Sequence, residues 1–154
     1  MTHSPRIRVW LVALASLVGM VSSAEAAESP VGTYVKTATK GKPEMTLTIE
    51  MWEPGKARLT YRVKGAEVKV TIDSALDGSD APVMVDGKAS GETMAITRVD
   101  KYHATTVLKM NGKTFGTSKG TFSNDFTTLT AESEFSASYG GNAAGKSTEV
   151  WTRK

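Results

Sequence analysis

The chain of 154 residues contains no cysteine. Disulfides, thiol nucleophiles, cysteine-based metal sites and a lipid-modified N-terminal cysteine are all excluded, so any fold must rest on its core alone. Histidine is nearly as scarce. His3 falls in the N-terminal leader described below and His103 stands alone in the rest, which excludes a histidine metal cluster within one mature chain. No Gly-x-Ser-x-Gly elbow occurs. Helical periodicity longer than a turn is missing beyond the first segment, and no repeat of solenoid length is visible. Charge of either sign is also unremarkable. With 19 basic and 16 acidic residues, spread evenly, the chain has no basic stripe that would argue for nucleic acid.

The opening "MTHSPRIRVWLVALASLVGMVSSAEAAESP" has the layout of a secretory leader. Arg6 and Arg8 supply the positive start, Val9 to Val21 are almost wholly apolar, and Ala24-Glu25-Ala26 forms the small-residue cleavage site. The apolar run of about 13 residues falls short of the about 20 that span a bilayer. Cleavage is expected after Ala26, which divides the chain into a leader, 1–26, in a signal helix, and a single domain, 27–154. Secretion or a periplasmic location follows as the expectation.

From Met45 onward the dominant period is two. "MTLTIEM" places Met45, Leu47, Ile49 and Met51 on one face; "RLTYRVK" does so with Leu59, Tyr61 and Val63; "EVKVTID" with Val68, Val70 and Ile72. Each reads as a strand with one face on a core and one in water. Turns fall between them: Pro54-Gly55, Gly65, Asp86-Gly87, Asn111-Gly112, "SND" at 123–125 and the glycine-rich 139–146. Asn-Gly and Asp-Gly tolerate positive φ and mark hairpins. A longer polar connection is expected over 73–82. The runs between turns predict ten strands: 32–39, 44–53, 56–64, 66–73, 82–86, 91–99, 102–110, 113–122, 127–135 and 146–153. Short connections between regularly spaced strands point to an all-β antiparallel up-and-down barrel of about 8–10 strands. Charged wet faces (Glu50, Arg58, Arg62, Lys64, Lys69) argue against an outer-membrane barrel, which needs an apolar band outside.

The two ends of the expected domain carry a resemblance. "SPVGTYVK" (29–36) resembles the Gly-x-Trp opening of lipocalins, with Tyr34 in the Trp place, and "STEVWTRK" (147–154) resembles the closing strand of calycins, the superfamily of lipocalins and fatty-acid-binding proteins. The middle, "VDGK...ETMAITRVD...TVLKMNGKTFGTSKGTFSNDFTTLTAE", is similar to small secreted bacterial proteins of lipocalin-like type. The resemblance implies a barrel with an interior pocket for a small apolar molecule. It also implies a closure in which Arg153 packs on Tyr34 beside Gly32 through cation–π contact. One departure matters. Where fatty-acid-binding proteins hold a carboxylate with Arg and Tyr on the last strand, this sequence has Glu149 and Trp151, so fatty-acid binding in that manner is not expected.

Parity then selects a candidate interior: Tyr61, Met94, Arg98, Thr106, Met110 and Glu149, with Glu149 as a partner for Arg98. Met45, Met51, Met94 and Met110 share the apparent inward faces, as adaptable lining or as core filler. Gly116, Ser118 and Gly120 face inward and leave a cavity, or outward and mark bends. His103 lies on the outer face with Thr105 and Lys109, away from any substrate pocket. Glu132 and Glu134 read as a solvated strand face. "DGSD" (77–80) has a calcium-loop look without the EF-hand spacing, and "GGNAAGK" lacks both the spacing and the helix of a phosphate loop. No catalytic residue, metal or cofactor is assigned. Binding of a small hydrophobic or amphipathic molecule is the leading expectation. The alternative is an envelope protein-binding module, an inhibitor or assembly factor, that uses barrel loops. Neither oligomeric state nor ligand identity follows from the sequence.

Overall fold

The computed structural model describes residues 27–136 and 143–154; the expected leader, 1–26, and the first half of the glycine-rich 139–146 segment lie outside them. Ten strands follow in chain order: β1 (Gly32–Lys36), β2 (Met45–Glu53), β3 (Lys56–Val63), β4 (Lys69–Ser74), β5 (Asp77–Val85), β6 (Lys88–Arg98), β7 (His103–Met110), β8 (Lys113–Phe122), β9 (Thr128–Phe135) and β10 (Gly145–Arg153). Each pairs antiparallel with the next, and β10 returns to β1, so the sheet closes on itself. Closure removes the two exposed edges that an open sheet of this length would present. No helix among the described residues is long and apolar enough to cross a membrane.

Turn chemistry sets the hairpins. Asp86 and Gly87 have φ of 49° and 81°, and Asn111 and Gly112 of 48° and 80°. Positive φ at both central residues gives the turn twist that matches right-twisted strands. The alternation then decides the faces. Leu47, Ile49, Leu59 and Ile72 are buried, while Arg58 on the outer face makes a paired contact with Asp73, 2.6 Å from Nε to Oδ1.

Two expectations are corrected here. The sequence pattern placed Met51 inside; the β2–β3 register shifts between Ile49 and Met51, and Trp52 is buried in its stead. One extra residue in a strand reverses the side on which every later side chain falls. The polar stretch 73–82 is not a long connection either. Only Ala75 and Leu76 separate β4 from β5. Leu76 is buried with φ of 60°; its N–H donates to Ser74 Oγ at 3.1 Å and its carbonyl accepts from Arg98 N at 3.0 Å. Asp77 to Asp80 run as strand while exposed, so no apolar alternation marked them.

One end of the barrel is shut by aromatic rings. Phe122 meets Tyr34, Trp52 and Phe126 at centroid separations of 6.0, 5.8 and 5.8 Å, and Tyr102 stacks on Phe126 at 5.3 Å. The Tyr34 hydroxyl donates to the Phe126 carbonyl at 3.1 Å, and burial pushes that phenol's pKa up. Arg153 lies over the Tyr34 ring at 5.7 Å and donates to the carbonyls of Ser29, Phe126 and Val31. Gly32, Tyr34 and Arg153 thus lie together at this end, where β1 meets β10.

Candidate functional site: an interior cavity

Above the aromatic floor the barrel is hollow. The cavity has a volume of about 570 Å³, within the range of about 300–1,000 Å³ usual for small-molecule sites. Strand alternation builds it from two unlike walls. Leu47, Ile49, Leu59, Val70, Met94 and Ile96 line it from β2 to β6, whereas β7 to β9 mix the large Leu108, Phe115 and Leu129 with the small Thr106, Ser118, Gly120, Ala131 and Ser133. The inward choice for Gly116, Ser118 and Gly120 is therefore the observed one for Ser118 and Gly120, and small side chains there leave the space open. Ser133 Oγ donates to Ser118 Oγ at 3.0 Å, which satisfies both hydroxyls. A Cβ added at Gly120 would make only ordinary contacts, the nearest being Leu129 Cδ1 at 3.5 Å.

The polar groups gather at the end opposite the floor. Lys36, from the end of β1, places Nζ 2.6 Å from Glu149 Oε1 on β10 and 5.1 Å from the centroid of the Trp151 ring. Lys42, from the β1–β2 hairpin, lies 4.0 Å from the same carboxylate. Tyr61 meets Trp151 edge to face at 6.0 Å. Its phenol is pushed up to about 12, first by facing a low-dielectric interior and then by the negative charge of Glu149, so it remains a neutral O–H throughout the physiological range. Glu92 lines the cavity as well, and Phe115 and Phe135 stack at 6.4 Å beside it on the rim.

Of the candidate interior residues, Tyr61, Met94, Thr106 and Glu149 are on the cavity wall. Arg98 and Met110 are not. Arg98 has the inward parity but ends β6 at the shut end, where its Nε donates to the Asp100 carbonyl at 3.2 Å; the partner of Glu149 is Lys36, not Arg98. Met110 ends β7 at the other extreme, beyond the lining and close to Gly91. Sequence reasoning passed over Lys36, Lys42 and Trp52. Lysine reads as a solvated residue by default, yet Lys36 shares parity with buried Tyr34, and that was the available signal.

The remaining candidates lie outside the cavity lining. His103 Nδ1 sits 2.8 Å from Asp100, with both side chains about half exposed. Asp100 also accepts from the backbone N–H groups of Tyr102 and His103, which holds its carboxyl below the usual range. The pair caps a surface turn; Asp100 borders a second cleft with Arg98 and Lys101, and His103 does not line it. Asp77 is taken up by Ser79 and Asp80 by Lys109. Among the described residues, no three acidic or histidine side chains are grouped to hold a metal ion. Glu132 and Glu134 are exposed on β9.

No family model matches the chain, and no curated protein sequence does either. Among solved structures, a crystal structure of a variant of the fluorescent protein UnaG is similar, with a TM-score of 0.57 over 80% of this chain and 95% of that one. The chain has a calycin-like fold. Sequence identity over the match is 15%, so the likeness concerns the path of the backbone; what lines the interior is this chain's own.

Proposed function

We propose that the protein is an exported, non-catalytic binder of one small hydrophobic or amphipathic molecule, held inside the calycin-like barrel. The observation that carries this reading is the cavity: about 570 Å³, lined mostly by apolar side chains with small residues interspersed on β7 to β9, and with its few charged groups gathered at one end. Apolar walls supply affinity through burial and a handful of placed polar groups supply orientation. Export rests on the leader, whose Arg6, Arg8 and Ala24-Glu25-Ala26 fit a cleaved signal. Outward charges such as the Arg58–Asp73 pair support a barrel surrounded by water rather than lipid.

The test is native mass spectrometry of the mature protein, followed by organic extraction and titration with a hydrophobic fluorescent probe. Near-stoichiometric occupancy is expected, by a co-purified molecule or by the probe. Ala131→Trp, which points a large ring into the cavity, should abolish uptake while leaving the circular dichroism of the barrel unchanged. An empty protein that takes up no probe would overturn the reading.

A further inference from the structure

The polar end of the cavity already holds a cation. The Lys36 ammonium lies 2.6 Å from Glu149 Oε1 and 5.1 Å from the Trp151 ring centroid, and Tyr61 stands edge-on to the same indole. A carboxylate beside the face of an indole is the surrounding that an ammonium or guanidinium group prefers. The Lys36 side chain is only 14% exposed, yet it is a flexible tether bearing a strongly hydrated head. A swing toward water would restore both its hydration and its rotamer freedom. Glu149 and Trp151 belong to a strand paired along eight residues with β9 and stay in place. The site is therefore fixed and its occupant is exchangeable.

We propose that the ligand is an amphiphile with a cationic head, an ammonium or guanidinium group, which takes the place of the Lys36 ammonium between Glu149 and Trp151. The apolar tail runs down the cavity toward Trp52 and Phe122. The proposal rests on the binding reading above and gives it a headgroup. Two further features agree. Glu149 is the charge that bears on Tyr61, raising its phenol together with burial. A second carboxylate, Glu92, also lines the cavity. A weakly hydrated head gains more from an aromatic face than a primary ammonium does, because it gives up less water; exchange with Lys36 is then downhill.

The experiment compares three probes of equal tail length by calorimetry, each below its micelle concentration: decyltrimethylammonium, decyl sulfate and decyl maltoside. The cation should bind at least about tenfold more tightly than either of the others. Glu149→Gln should remove about tenfold of the cation's affinity and less than about twofold of the maltoside's. Lys36→Met, which deletes the nearer of the two ammoniums beside Glu149 and leaves Lys42 at 4.0 Å, should tighten the cation severalfold; this variant also covers the case in which Glu149→Gln fails to fold. Tighter binding of decyl sulfate, or a cation affinity untouched by both substitutions, would overturn the headgroup while leaving the cavity reading intact. Failure of all three probes to bind would overturn both.

Discussion

At Gly32 the backbone runs with φ of +152°, and a Cβ there would lie 2.7 Å from Arg153 Nη2. The residue is needed twice over: for its backbone conformation, and for the room it gives the guanidinium that covers Tyr34. Gly32→Ala is expected to cost about 1–3 kcal/mol in urea unfolding. The cost should shrink in an Arg153→Ala background, because the clash accounts for part of it. Additive losses would show that the contact with Arg153 is not the reason. The sequence carried Gly32, Tyr34 and Arg153 openly, through the likeness of the two chain ends to calycins. It hid Lys36, whose charge outweighed its parity.

Among elements, β2 shows where period-two reasoning stops. Leu47 and Ile49 were readable because nothing interrupts their alternation. The register shift between Ile49 and Met51 has no residue signature in "TIEMW", so the burial of Trp52 could not be counted out from Met45. Trp52→Ala is expected to cost about 3–5 kcal/mol, as for other large buried rings, and Met51→Ala under about 1 kcal/mol; denaturant midpoints of the two variants check the ranking. Equal losses would put the bulge in error. In β5 the failure is of another kind. Pairing with β6 holds Asp77–Asp80 in the sheet although both faces there are wet, so composition resembles a loop while hydrogen bonding makes a strand. Arg98 fails for a third reason: parity states the side toward which a residue points but not the depth at which its strand ends.

For the whole molecule, the weakest join is the closing one. β1 and β10 share two registered residue pairs, Tyr34 with Arg153 and Val35 with Thr152, against eight between β9 and β10. With no disulfide to tie the ends, the floor contacts of Arg153 hold that seam. Deleting 152–154 is expected to leave a sheet with two free edges, which associate. The readouts are loss of a single cooperative thermal transition and a shift to larger species in size-exclusion chromatography. A monomer that melts cooperatively would show that the seam is dispensable. The all-β barrel was legible in the sequence because its strands are regular and its turns are short. The cavity was only half legible, because whether small residues line space or fill bends depends on register across three strands at once.

The same seam has a use at the bench. Ser29 and Arg153 are joined by a hydrogen bond of 3.1 Å, on the floor and far from Lys36, Lys42 and the rim. A surface linker fused after Lys154 would therefore hold each barrel by its base with its mouth turned outward. A short bridge between the two ends, with new ends cut at Asn111-Gly112, would give a circularly permuted barrel that moves the attachment point to the rim. Immobilised side by side, the two forms present the cavity in opposite orientations, so the direction from which a ligand enters becomes a difference in on-rate between two chips.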